Sequence, residues 1–367
     1  MRIVYKSLPA VAVALLLAAA PAVGAVPVDG RGPASGPIGW YTGGDSKPRL
    51  RGNPLAGRPW FVDYQWSDAW KQARLYARKN PGATVRLRRI AKQPIMKWFG
   101  TWDRGLLRKH VREYLVRASH QAPGSIAFIA LRRIESANCP YRSPDPRLHG
   151  EQAYSEAVKQ FALAIGNRRV AIDLEPDQLA TIDCLPSEAK QRRLRMIRGA
   201  VTILSRLPHA TTYIDAGASD WMGWSRMLPY LRAVGISRIR GFALNATHYD
   251  WTADNIAYGT QLARRLHTHF IVNTSRNGNG NLPYSLWGRF DPGCNIPNAG
   301  LGIPPTVATH NRSIDGFLWL SNPGFSDGNC RGANYRTTTV RWDTQLALQL
   351  IRRASLRTRG SQITYFH

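Results

Sequence analysis

Seven short apolar runs, each set off from the next by text of helical periodicity, leave this chain few architectures to choose from. The runs are PIMKWF, SIAFIAL, RVAIDLE, TTYIDAG, IRGFALN, HFIVNTS and GFLWLSN. Stretches such as SEAVKQFALAIG, SEAKQRRLRMIRGAVTILSRL and DNIAYGTQLARRLH lie between or beside them. Strand and helix alternating in this way specify βαβ units and a parallel sheet. No internal repeat is present. Residues 56–367 are therefore expected to form one α/β domain, a distorted parallel (β/α) barrel of about seven strands.

The text before this region is of another kind. Residues 1–25 read as a secretory leader, with basic Arg2 and Lys6, an apolar run over 11–20 and small residues near Ala25. Residues 26–55 are rich in Gly and Pro and read as an irregular arm. No later run reaches the length of a membrane span. The expected product is exported, soluble and monomeric. Cys139, Cys184, Cys294 and Cys330 suit an oxidising compartment and two disulfides. Three connectivities are open, of which Cys139–Cys184 with Cys294–Cys330 closes the shortest loops. Without a CxxC spacing or a Cys/His cluster, no metal site is expected, and no cofactor is implied.

The formal charge is +27, and the leader accounts for two of the positives (27 − 2 = +25). Such a surface attracts anionic cell-envelope polymers or acidic glycans; equally, it can be solvated Arg on helix faces, as in RKHVREYLVR. No nucleic-acid module is recognisable, so a nucleic-acid partner is not expected.

Chemistry concentrates in VAIDLEPDQLATIDC, residues 170–184, where Asp173, Glu175 and Asp177 alternate with apolar residues. At strand period two, all three point to one side. Ligands of a parallel barrel bind at the carboxyl ends of its strands. Asp177 is thus expected on the rim, with Glu175 and Asp173 pointing into the barrel below it. Other runs also end on polar or special residues: Trp98, Asn138, Asp215, Asn245, Asn273 to Arg276, and Ser321 with Asn322.

Six segments together resemble glycoside hydrolase family 6, the inverting cellulases and glucanases. They are VAIDLEPDQLA, TTYIDAGASDWMGW, RGFALNATHY, FIVNTSRNG, CNIPNAGLGIPPT and FLWLSNPGFSDGNC, in the family's order. The resemblance implies a distorted parallel barrel, the disulfides Cys139–Cys184 and Cys294–Cys330, and a polysaccharide or oligosaccharide substrate. It implies Asp177 as the general acid, Asp327 as the best match to the base, and Asp215 as a structurally important aspartate. Substrate contacts are implied at Trp98, Asn138, Trp221, Trp224, Asn245 and Trp319.

Several positions depart from the family pattern. Asn138 and Arg132 stand where the family has an aspartate and a tyrosine, and Ser321 and Phe325 replace a lysine and a glutamate. Asp173 stands where the family usually has an apolar residue. It is expected either to replace the charge missing at Asn138 or to pair with Arg132 or Arg133. The leading expectation is an exported hydrolase of β-1,4-linked glucan or a related polysaccharide. The alternative is a catalytically weakened glycan-binding or cell-envelope protein on the same scaffold.

Overall fold

The computed structural model describes residues 51–134, 150–287, 289–291, 293–330 and 340–354. Every apolar run becomes a strand: β1 (Lys97–Gly100), β2 (Ala127–Arg132), β3 (Val170–Leu174), β4 (Ala210–Asp215), β5 (Gly241–Leu244), β6 (His269–Asn273) and β7 (Ile314–Leu318). The strands pair in sequence order, all parallel. The outer two meet through a single parallel bridge between Ile95 and Trp319, where the Met96 amide donates to Trp319 O at 3.0 Å. The result is the expected distorted α/β barrel, closed by that one bridge.

Two helices precede the sheet, α1 (Asp68–Tyr76) and α2 (Pro81–Ala91). Each starts on a side-chain cap: Ser67 Oγ accepts from Trp70 N, and Asn80 Oδ1 from Ala83 N with Pro81 following it. The crossovers from β1 to β6 are filled in turn by α3 (Leu107–Gln121), α4 (Glu151–Ile165), α5 (Ser187–Leu204), α6 (Trp224–Ala233) and α7 (Thr252–Leu266). A last helix, α8 (Thr344–Ala354), follows β7.

Strand alternation divides the core in two. Outward residues such as Ile129, Leu131, Ile172, Leu174, Ile214, Phe242 and Val272 pack against the helices. Inward ones, among them Phe128, Ala130, Ala171, Tyr213, Ala243 and Ile271, fill the barrel with Met96, Leu318 and Leu320. Gly259 lets α7 lie close on β6, since a Cβ there would meet the Phe270 ring at 2.4 Å.

The amino end of the barrel is sealed. Arg240, just before β5, donates to both oxygens of Asp315 on β7 at 2.6 and 2.7 Å, and Tyr213 Oη adds a bond of 2.7 Å. Gly52 O accepts from Arg240, Asn53 donates to Asp315 O, and Leu55 is buried in the interior cluster. Residues 52–55, expected to end the irregular arm, are therefore built into the barrel. With this end plugged, a ligand has access from the carboxyl ends of the strands.

Candidate active site

β3 stops at Leu174, and the chain leaves it through two left-handed residues, Glu175 (φ 56°) and Asp177 (φ 74°), either side of Pro176. Positive φ at residues with a Cβ is uncommon and gathers at functional sites. Here it breaks the strand alternation and sends the three acids to three environments.

Asp173 keeps its place on the inner face, fully buried, and neither of its oxygens has a hydrogen-bond partner. Glu175 does not point into the barrel as expected. The left-handed turn re-aims it onto the end of β2, where it accepts from Arg133 N at 3.1 Å and Ile134 N at 3.0 Å, beside the Tyr154 hydroxyl of α4. Burial pushes its carboxyl up to about 7, against the pull of those amides. Asp177 stands at the rim with its side chain 16% exposed. Its Oδ1 accepts from Thr247 Oγ1 at 2.6 Å, and its Oδ2 lies 3.7 Å from Arg132 Nε.

Asp215 closes β4 directly behind the acid. Its Oδ1 accepts from the backbone amides of Asp177 and Gly217, both at 3.0 Å, while Oδ2 is buried without a partner. Burial, then the charge of Asp177, hold its carboxyl well above the usual range; the Gly217 and Asp177 amides and Arg132 oppose this. Asp173 is raised in the same way, by burial first and then by Asp215, Asp177 and Glu175. Burial thus favours its neutral form, and neither of its oxygens is bonded to Arg132 or Arg133.

Asp327 is held on another wall. The buried Arg276 Nη1 donates to both its oxygens at 2.8 Å, Tyr249 Oη donates to Oδ2 at 2.7 Å, and Asn295 N to Oδ2 at 3.0 Å. The guanidinium also lies over the Tyr249 ring, 4.4 Å from its centroid. The disulfide Cys294–Cys330, Cα atoms 5.6 Å apart, ties down both ends of this arrangement. Arg276 then links the two walls: its Nη2 donates to Thr247 O at 2.9 Å, and the Thr247 hydroxyl in turn reaches Asp177. One partly exposed carboxyl with a fixed oxygen, linked to a second carboxylate locked in an ion pair, is equipment for acid-assisted bond cleavage. Among the described residues no cluster of His, Cys, Asp or Glu could hold a metal ion.

The family model described as "Glycosyl hydrolases family 6" matches residues 55–349. This chain belongs to that family. The family is one of O-glycosyl hydrolases. Endoglucanase A of Cellulomonas fimi is 33% identical over 271 residues, 73% of this chain and 56% of that protein, so the chain spans little more than half of that relative. Endoglucanase 1 of Streptomyces sp. (strain KSM-9) is 33% identical over 261 residues, covering 69% of this chain and 70% of the relative. The solved endoglucanase Cel6 of Mycobacterium tuberculosis, in complex with methyl-cellobiosyl-4-deoxy-4-thio-β-D-cellobioside, superposes with a TM-score of 0.71 at 32% identity. That match covers 83% of this chain and 99% of the other.

Against the family expectations, the structure gathers some residues and disperses others. Asp177, Asp215, Asp327 and Trp98 lie at the carboxyl end of the barrel, Trp98 Nε1 donating to Leu320 O at 2.6 Å. Trp221 is half-buried and stacked on His248, ring centroids 4.3 Å apart. Beyond Asp220 a cavity of about 770 Å³ is lined by Trp251, Tyr284, Trp287 and Asn281.

Two expected contacts lie elsewhere, and a third, at the end of β5, is buried with its amide already occupied. Trp319 is 2% exposed and packs outward among α1, α2 and α8, because Leu318 and Leu320 on either side take the inward positions. Trp224 opens α6 and is covered by the Arg265 guanidinium, 4.1 Å away in the last turn of α7, far from the carboxyl end of β5 where that helix begins. Asn245 is fully buried and spends its amide on Asp250 N, Asp250 O and Asn273 O.

Asn138 and Cys139 lie outside the described residues; Cys184 is itself disulfide-bonded. The residues that the sequence reading passed over are Thr247 and Tyr249, which hold the two carboxylates. Arg276 had been noted only as a strand-end residue. Their one signal was position, just past β5 and β6.

Proposed function

We propose that this protein is an exported glycoside hydrolase that cleaves β-1,4-linked glucan, or a related polysaccharide, with inversion at the anomeric carbon. Asp177 donates the proton to the glycosidic oxygen, Asp327 manages water on the other side of the scissile bond, and Asp215 holds the backbone of the acid from behind. The observation that carries this reading is the linked set Asp177–Thr247–Arg276–Asp327, two carboxylates fixed in orientation by one continuous chain of hydrogen bonds. Inversion calls for carboxyl groups about 6.5–9.5 Å apart so that a water fits against the sugar. The endoglucanase names of the relatives support glucan as the substrate class. The leader text, and the absence of a free cysteine among the described residues, support export.

A second reading keeps the reaction and changes the polymer to an acidic glycan. It is favoured by the formal charge of +27 and by a groove of about 990 Å³ between α3 and α4, in which Arg108, Lys109, Arg112 and Arg133 outnumber Asp103, Glu113 and Glu156. Arg133 is next in the chain to the residue beside Asp177. The test uses the mature protein and its Asp177→Asn variant on cello-oligosaccharides, mixed-linkage glucan and acidic envelope polymers, with products separated chromatographically and their initial anomer read by NMR. Cleavage to the inverted anomer that disappears in the variant is the expected result, and the polymer cleaved names the substrate. Binding without cleavage by both proteins would make this a recognition protein instead.

A further inference from the structure

One buried carboxyl has no part in the reaction just described. Asp173 is 0% exposed on the inner face of β3, with both oxygens lacking a partner. It pairs in register with Tyr213, so Asp215, two residues farther along β4, is its diagonal neighbour on the same face. The groups around it are Tyr213 and Asp215 from β4, Asp177 and Glu175 from the turn after β3, and Arg132 from the end of β2. The Tyr213 hydroxyl is committed to Asp315, and Arg132 lies against Asp177.

A carboxylate with no donor, among three other acids, is an unfavourable occupant of a barrel interior. A protonated carboxyl is neutral and needs only one acceptor. Asp215 has such an acceptor: its Oδ1 is taken by the amides of Asp177 and Gly217, whereas Oδ2 is buried and unpartnered. Asp215 therefore stands between Asp173 and the backbone of the acid.

We propose that Asp173 is a positioning residue for Asp177: Asp173 and Asp215 share one proton, Asp173 donating its O–H to Asp215 Oδ2, and Asp215 so oriented holds the Asp177 amide. The role rests on the glycosidase reading above. It uses no covalent step, only the proton that the pair shares. At a pH high enough to remove that proton, the donor becomes a buried negative charge facing Asp215 and Asp177, and the orientation is lost.

The test compares Asp173→Val, which removes the donor, with Asp173→Asn, which keeps a neutral donor of the same shape. Two readouts need no substrate. Infrared difference spectra of the wild type at neutral pH should contain a protonated-carboxyl band that Asp173→Asn removes. Hydrogen exchange at the Asp177 amide should quicken in Asp173→Val and return toward wild type in Asp173→Asn. On the cleaved glucan, Asp173→Val should lower kcat about 10- to 100-fold with KM unchanged. Asp173→Asn should recover most of that loss and move the alkaline limb of the pH–rate profile upward. The proposal is overturned if the infrared band is missing. It is equally overturned if the valine variant keeps wild-type amide exchange, or if the two variants behave alike. A wild type that cleaves no glycan defeats the glycosidase reading alone, because the two spectroscopic readouts decide the positioning of Asp177 by themselves.

Discussion

The Thr247 hydroxyl donates to Asp177 Oδ1 at 2.6 Å, and the carbonyl of the same residue accepts from Arg276 at 2.9 Å. Thr247 is thus the point at which the two carboxylate walls of the cleft are joined. Its side chain fixes the direction of the acid's proton-bearing group, and its backbone is held by the cation that locks Asp327.

Replacing Thr247 by Val should therefore misdirect the acid without emptying the cleft. The expected effect is a fall in kcat of about 10- to 100-fold with KM changed little, the pattern of an interaction that matters in the transition state. Thr247→Ser, which retains the hydroxyl, should stay within about threefold of wild type. Steady-state kinetics on a soluble glucan checks both, and a larger change in KM than in kcat would refute the positioning role.

Arg276 is buried with a carboxylate partner, and removing one member of such a pair leaves an uncompensated charge. Arg276→Met should destabilise the protein by about 3–5 kcal/mol, read from urea unfolding, and abolish cleavage. Asp327→Asn should lose activity and destabilise at least as much, because it leaves the buried guanidinium, 3% exposed, without its counter-charge, whereas Arg276→Met leaves a carboxylate that is 25% exposed.

Much of this architecture was legible beforehand, and the reason is physical. Strands of a parallel barrel are apolar on both sides, so seven short apolar runs announced seven strands. Asp177 and Asp215 were legible because they end such runs. Glu175 was not: its direction depends on the sign of φ in the turn at Pro176, and strand period two does not contain that information. The resemblance alone implies Trp319 and Trp224 as contacts, but Leu318 and Leu320 face inward, so the Trp319 indole between them faces out. A motif match likewise says nothing of Arg265 arriving over Trp224 from another helix. Thr247, Tyr249 and Arg276 meet their carboxylates only after four separate loops, those following β3, β5, β6 and β7, come together.

The base of the barrel offers a stability test remote from the chemistry. Arg240 and Asp315 have side chains 2% exposed and share two charged hydrogen bonds, with Tyr213 as a third partner. Arg240→Met should cost about 3–5 kcal/mol by stranding Asp315, and Tyr213→Phe about 1 kcal/mol for the lost hydroxyl. The phenylalanine variant should retain wild-type kcat, since the amino end of the barrel touches no substrate. Loss of activity at unchanged stability in Tyr213→Phe would contradict this separation of the two ends.

The buried acids also set a direction for stability against pH. Asp173 and Asp215 both have folded values well above the usual carboxylate range, through burial and mutual repulsion. A group raised in this sense binds its proton more tightly when folded, so its contribution is fully present below the unfolded value, about 3.9. The contribution is lost as pH rises through the folded value. These two residues should therefore make the protein less stable on going from about pH 4 toward neutrality and above. Asp173→Asn removes one of the two contributions, and its melting temperature should decline less steeply over that interval than the wild type's. Calorimetric scans at closely spaced pH values provide the comparison. If the two curves run parallel from acid to neutral pH, Asp173 carries no excess proton in the folded state.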